Sequence, residues 1–534
     1  ADLQITAMLL QVGANKDEKT PDGTPLLLLA AEHSVPVALA LLEAKASVNA
    51  SDATGRTPIE VAMAKGQVEL CEVLLTRGAV PTLRKDVAGN SLLHSAVLLR
   101  SERLVKLLIR NKAELSDQNR KGATPLLLAA ESGQLESASL LLSANAGLHL
   151  TDSSNRSALE LALQNGHLET LRLLLSQPNV DVNGITRRGS SLLHLAAETG
   201  DETKVKFLLS QQALVDVLNP NGETPLHWAC SLGHINVVRC LVQHGADAML
   251  QERIGGLTPL HAACGTRGQP AALALLIQRC ELMQWSSNPL RCNVIDAQRN
   301  TPLHTCAKQA PQPLKSFPIL LEHGANPSLQ NAQGQTVLHL IAERAVQSCQ
   351  QQQGIGEDGM QVSSDASSNG ESLESPFCRL VEMLAEYSPA MDVQDAESGN
   401  TALHIAAFGG CIELALLLAN MGASVALPNR DGFAPLDSFQ PSGHAAKSLP
   451  ELLLSTISKP PSWVPDRMVK ACQQCKLAFD PRRGPNLARK HHCRHCGRCV
   501  CFLCSPHRLA IPKFGTSQEE RVCELCERVL SAPA

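Results

Sequence analysis

Apolar positions along most of this chain fall into short helical clusters that return at a fixed interval. Each interval opens on a Thr-Pro-Leu start followed by alanine. A second apolar cluster comes about ten residues later, such as Val237-Val238-Arg239-Cys240-Leu241-Val242, and a Gly245-Ala246-Asp247 type of ending closes the unit. The position equivalent to the first Thr falls at 24, 57, 91, 124, 157, 191, 224, 258, 301, 336, 401 and 434. Seven consecutive steps of 33 or 34 residues lie far outside chance. Pro fits the first turn of a helix, where its missing N–H costs nothing. Alanines let two short helices approach closely, and the Gly after the second helix supplies a left-handed cap. One such pair cannot bury its apolar face alone, so neighbours must stack into an all-α solenoid.

The fullest copies are Thr224-Pro225-Leu226-His227-Trp228-Ala229-Cys230 and Thr258-Pro259-Leu260-His261-Ala262-Ala263. These motifs resemble the ankyrin repeat, which implies helix pairs joined by β-hairpin loops over residues 1–456. We count twelve repeats, the last degenerate, after a half repeat at Leu3–Ala14. Two longer steps, of 43 and 65 residues, predict insertions near 284–297 and 346–376. The second holds Gln350–Gln353 and the Ser/Gly/acidic run Ser363–Ser375, whose low apolar content predicts disorder. Phe377–Tyr387 reads as the displaced second helix of that repeat, and Leu449–Ser455 as a final capping helix. Lys459-Pro460-Pro461-Ser462 makes residues 457–462 a short, stiff linker that holds the C-terminal tail close to the array.

Composition agrees with closely packed small helices: 44% of residues are apolar but only 2% aromatic. The net charge of −4 hides an asymmetry, because from Pro460 onward Lys and Arg outnumber Asp and Glu by 13 to 6. A basic tail on an acidic body points to an anionic partner for the tail. His94, His194, His227, His261, His304, His339 and His404 share one repeat position, which invites a metal reading. In ankyrin repeats that imidazole hydrogen-bonds within and between loops, and we read it as structural. No phosphate-binding loop, nucleophile elbow or His-Glu-x-x-His motif occurs. No uncharged apolar run reaches the roughly 18 residues of a membrane span, so membrane contact is expected to be peripheral. The chain opens in the middle of a helical pattern without Met and reads as a fragment.

Nine of the 19 cysteines crowd into the tail, eight of them as pairs: Cys472/Cys475, Cys493/Cys496, Cys501/Cys504 and Cys523/Cys526. Four CxxC pairs within about 55 residues suit two closed, tetrahedral four-cysteine zinc sites in a reducing compartment. Spacing alone leaves the pairing open. A module this small needs such staples to fold. Eight thiolates and two Zn²⁺ lower the tail's formal charge from +7 to about +3. Positive potential therefore concentrates at Arg489, Lys490, Arg494 and Arg521, with His491 and His492 adding more at low pH. Arginine forks suit phosphate oxygens, and histidines with a carboxylate suit sugar hydroxyls.

Trp463-x-x-Asp466, Arg489-Lys490-His491-His492-Cys493-Arg494 and Arg521-Val522-Cys523 resemble the three signature motifs of the FYVE zinc finger, over residues 463–530. That resemblance implies Cys472, Cys475, Cys501 and Cys504 on one zinc and Cys493, Cys496, Cys523 and Cys526 on the other. It implies phosphatidylinositol 3-phosphate as ligand, with Lys490, Arg494 and Arg521 at the 3-phosphate and Arg489 at the bridging phosphate. Asp466, His491 and His492 would meet inositol hydroxyls. Cys499 has no ligand position and is expected to pack as an ordinary residue. Lys490 lacks the bidentate fork of Arg, and the segment Lys476–Ala488 offers mainly Leu487 for insertion into the membrane. One leucine contributes only about 2 kcal/mol of apolar burial, so a second signal is expected, such as a homodimer or a protein partner held by the solenoid.

An ankyrin array followed by a FYVE finger resembles the rabankyrin type of endosomal protein, which implies a cytoplasmic, non-enzymatic adaptor on early endosomes and an early-endosomal Rab GTPase as partner. The alternative is a RING-like ubiquitin ligase module on an ankyrin scaffold. RING fingers usually place a His among the ligands, whereas all eight positions here are cysteine. A nucleic-acid finger would want a spread basic face with aromatics, and the cations here are focused.

Overall fold

The computed structural model describes residues 2–80, 85–265, 269–282, 291–309, 313–353, 375–437, 449–456, 471–474, 490–493, 495–496, 498–501, 504–509, 511, 514 and 519–531. The chain divides into two compact units, 1–220 and 221–534. In the first unit the helix Asp2–Gln11 precedes six helix pairs, from Leu26–His33 with Val35–Glu43 to Leu192–Thr199 with Glu202–Ser210. The second unit begins with the pair Pro225–Leu232 and Ile235–Gln243 and runs to Ala402–Phe408 and Ile412–Asn420. Among the described residues its final repeat shows a 3-10 turn, Pro435–Asp437, and the helix Leu449–Thr456. The core is leucine and alanine: Ala31, Ala62, Ala96, Ala130, Ala162, Ala196 and Ala229 are fully buried at the helix contacts.

The recurring histidine has a structural task at each repeat. It is the third residue of its helix and completes a capping box with the Ser or Thr at the helix start. In Ser91/His94, the Ser91 backbone N–H donates to His94 Nδ1 at 3.1 Å, and the Ser91 hydroxyl lies 2.8 Å from that nitrogen. That leaves the proton on Nε2, which donates to the carbonyl oxygen of Ala123 in the next loop at 2.8 Å. The same link joins His261 to Asn300, His304 to Gln335, His339 to Asn400 and His404 to Phe433. Glu60 and Glu160 close the box in two of the repeats that lack the histidine. This bears out the structural reading.

Between the pairs, loop tips stack by single backbone bonds, such as Ser153 N–H to Lys121 O at 2.9 Å and Ala396 N–H to Gln333 O at 2.8 Å. Isolated bridges at Lys19–Pro25 and Thr151–Ser157 mark them as hairpin-like turns. At Gly89, Gly122, Gly222, Gly334 and Gly399 this stacking leaves no room for a side chain. Gly122 has φ +71°, and a Cβ there would lie 2.6 Å from Ser153 N.

Three expectations need correction. The helix Val337–Gln353 runs on through Gln350–Gln353, where low apolar content predicts disorder. Glutamine is a good helix former, and no Gly or Pro interrupts the helix before Gly354. Most of the Ser/Gly/acidic run lies outside the described residues. In the stretch 284–297, Asn293 and Asp296 take regular loop positions: Asn293 Nδ2 donates to Gly324 O at 3.0 Å and Asp296 Oδ1 accepts from Asn300 N–H at 2.7 Å. The extra residues of that step therefore precede Arg291, beginning with the 13-residue helix Pro270–Leu282. Finally, the left-handed position after the second helix is not reserved for Gly: Lys45, Lys112, Asn145, Gln212 and Ser388 also hold positive φ there. The displaced second helix is present as Pro376–Ala385.

Candidate metal centre and anion site

Among its described residues the tail shows two antiparallel pairs of three-residue strands and a helix. β1 (Lys490–His492) pairs antiparallel with β2 (Cys499–Cys501), and β3 (His507–Leu509) with β4 (Glu520–Val522). The helix Glu524–Ser531 comes last. Strands this short cannot hold a fold by pairing alone. What ties them is sulfur. Cys493 directly follows β1 and Cys523 directly follows β4, while Cys496 and Cys526 come three residues later. The structure brings these four fully buried cysteines together, with all four Sγ atoms within 4.8 Å of one another.

This cluster fits zinc. A Zn–S bond of about 2.3 Å gives a tetrahedral S–S edge of about 3.8 Å. Cys496 and Cys523 Sγ are 3.8 Å apart. Burial opposes ionisation of Cys493, yet its thiol is held well below the ordinary value by hydrogen bonds from Cys496, Cys523 and Cys526. The Cys523 backbone N–H also donates to Cys493 Sγ at 3.2 Å. Such a crowd of sulfurs is what a divalent cation neutralises, and metal binding and folding are then one event. Of the other expected ligands, Cys472 is buried, Cys504 is half-buried and Cys501 lies on β2. Cys475 lies outside the described residues. Cys499 is fully buried within β2 and outside the cluster.

The cluster also organises the cationic residues. Lys490, His491 and His492 form β1, and Arg521 is the middle residue of β4. Both strands end on cysteines of the same four-sulfur cluster, so a single metal bound there would hold together the strands that carry the two basic motifs. His491 and His492 are half-buried. The Arg521 guanidinium donates through Nη1 to Ser505 O at 2.6 Å, which holds the tip of the side chain, and Arg521 stands opposite Arg508 in the register. Asp466, Leu487, Arg489 and Arg494 lie outside the described residues.

Gln473 and Arg498 carry no motif signal, being ordinary polar residues between cysteines. Each is only 4% exposed, and each bonds to the last repeats. In the array, a groove of about 460 Å³ lies between loop tips and inner helices, lined by Trp228, Ile254, Glu223, Glu252, Asp296 and Lys308. Burial and the neighbouring Glu223 push the Glu252 carboxyl up.

Family models match both the array and the tail. The model described as ankyrin repeats (3 copies) matches residues 1–85, 93–186, 176–252 and 193–284, and the single ankyrin repeat model matches 398–430. The FYVE zinc finger model matches residues 462–532. Rabankyrin-5 of Mus musculus is 26% identical over 490 residues, covering 83% of this chain and 38% of that protein. Rabankyrin-5 of Homo sapiens is 25% identical over 491 residues with the same coverage. The chain thus spans 38% of the length of these curated relatives. Among solved structures, the ankyrin repeat domain of Bcl-3 is 26% identical, with 42% of this chain and 98% of that one covered at a TM-score of 0.37.

Proposed function

We propose that this chain, which belongs to the ankyrin-repeat family and ends in a FYVE zinc finger, is a non-enzymatic adaptor that binds phosphatidylinositol 3-phosphate on the cytosolic face of early endosomes. The observation that carries this reading is the basic strand Lys490–His492 running directly into the zinc-site residue Cys493. Zinc supplies the rigidity: it holds the strand carrying Lys490, His491 and His492 against the strand carrying Arg521. In this reading Lys490, Arg494 and Arg521 receive the 3-phosphate and Arg489 the bridging phosphate. Asp466, His491 and His492 take the inositol hydroxyls. Cys472, Cys475, Cys501 and Cys504 hold a second zinc, and Leu487 enters the bilayer.

The membrane association is peripheral in this reading, and among the described residues no helix is long and apolar enough to cross a bilayer. The solenoid holds protein partners, for which the groove beside Trp228 is a ready surface. The relatives are named Rabankyrin-5, and an early-endosomal Rab GTPase is the first candidate among those partners. A protein partner or a second copy of the chain would supply the other half of a two-part membrane address.

The residue assignments are tested in the whole chain by Arg489→Ala and Arg494→Ala. Both should abolish binding to vesicles containing the 3-phosphoinositide while bound zinc, measured by atomic emission, stays at the unsubstituted level. Loss of zinc with loss of binding would make these residues structural instead.

A further inference from the structure

We propose that the zinc finger is docked on the last ankyrin repeats as their C-terminal cap, so that zinc binding in the finger stabilises the end of the array. The array needs such a cap. Its last repeat has Ala434 at the Thr position, followed by the 3-10 turn Pro435–Asp437. A solenoid that ends on an incomplete repeat leaves the apolar face of its neighbour short of cover.

Two polar side chains of the finger meet this end, and both are buried. Gln473 lies between the cysteines of the first pair. Its backbone N–H donates to Cys499 O at 3.1 Å, and its Oε1 accepts from Cys499 N–H at 2.7 Å. Its Nε2 donates to Ala426 O of the array at 2.6 Å. One amide therefore grips β2 on one side and a repeat loop on the other. Arg498 makes the second link, through Nη2 to Asp437 Oδ1 at 3.1 Å, with side chains 5% and 15% exposed. Asp437 is itself fixed, since its Oδ2 accepts from Ala434 N–H at 2.9 Å.

The cost of burying an ion pair is offset only where both partners are held in register, and here each is held by a backbone bond. Arg498 is held by the metal cluster: its carbonyl oxygen accepts from Cys493 N–H at 2.9 Å. Apolar packing completes the interface, with the helix Leu449–Thr456 lying between Ile412–Asn420 of the array and the finger helix Glu524–Ser531. Leu453 and Leu454 on it are fully buried.

The chain of contacts runs from Cys493 through Arg498 to Asp437, and from β2 through Gln473 to Ala426. Anything that folds the finger must favour the ordered array end, and by reciprocity the ordered array end must favour zinc. The finger then meets its target with a fixed attitude to the last repeats. None of this depends on which anion the finger binds.

The test uses the full chain and reads the array. Amide exchange in Ile412–Asn420 and Leu449–Thr456 should quicken roughly tenfold or more when zinc is stripped by a strong chelator, given the worth of charge-assisted bonds. Exchange in the first unit should stay unchanged. In the reverse direction, Asp437→Lys should speed chelator-driven zinc release several-fold, and combining it with Arg498→Asp should restore the original rate. Unchanged exchange in both helices after zinc removal would overturn the proposal. So would zinc release indifferent to Asp437→Lys.

Discussion

His304 and His404 each sit at a buried link between repeats, and burial lowers the pKa of each from 6.5 to about 4. His94, His227, His261 and His339 shift the same way for the same reason. The neutral ring is the one that fits, because Nδ1 must accept while Nε2 donates. The unfolded chain therefore takes up protons first as pH falls. The stability from the His304 and His404 links is complete above about pH 6.5 and is lost between there and about pH 4, and the other links weaken in the same direction. At pH 5 His304 alone should have given up about 2 kcal/mol of local stability. His304→Gln checks the sign. Gln preserves the capping box and does not titrate. The variant should open more easily at pH 7.5, by about 1 kcal/mol for the lost Nε2 link, yet lose less than the parent on going to pH 5. Amide exchange in Pro302–Gln309 measures both. The histidines were legible in sequence as structural because they recur at one repeat position. Glu60 and Glu160 share that position and carry the Ser/Thr-x-x-Glu signal of a capping box, a signal that a pattern built on histidine misses. Gln473 and Arg498 were not legible at all, because their partners Ala426 and Asp437 lie 47 and 61 residues away.

At the scale of elements, the left-handed residue closing each second helix is set by the helix geometry and not by residue type. Gly78 and Gly245 hold it without strain, at φ +87° and +90°, whereas Lys112 and Gln212 adopt φ +58° and +65°. A side chain in that region costs about 1–2 kcal/mol, partly offset by the greater freedom of Gly in the unfolded chain. Lys112→Gly should therefore stabilise its repeat by about 0.5–1 kcal/mol, read as slower exchange in Glu102–Arg110. Gly122→Ala should do the reverse. Its Cβ would displace the Ser153 backbone, so loop stacking is lost and the unit weakens by about 2 kcal/mol or more. The helix pairs were legible because each carries its own start and stop. The helix through Gln350–Gln353 was missed because a polar composition lowers burial without lowering helix propensity. A helix already nucleated at Val337 extends at little cost through good helix formers.

At the scale of the whole molecule, one metal cluster has consequences in two directions. It brings together the strands bearing Lys490–His492 and Arg521, and it fixes Arg498 against the array. The four cysteine pairs were plain in the sequence, since the spacing of metal ligands is local. The docking was foreshadowed only by the stiff Pro460-Pro461 spacer, because an interface between modules leaves no periodic trace. Mutating an interface residue such as Asp437 should leave head-group preference intact while weakening zinc retention. The two roles are therefore separable by experiment. The central claim is a specific anion pocket and not general positive charge. It is tested most directly by co-sedimentation of the whole, zinc-loaded chain with vesicles of equal surface charge. The vesicles carry phosphatidylinositol 3-phosphate, the 4-phosphate isomer or phosphatidylserine. Binding at least about tenfold tighter to the 3-phosphate is predicted, since only a fixed pocket distinguishes isomers of equal charge. Equal binding to all three vesicle types would contradict it.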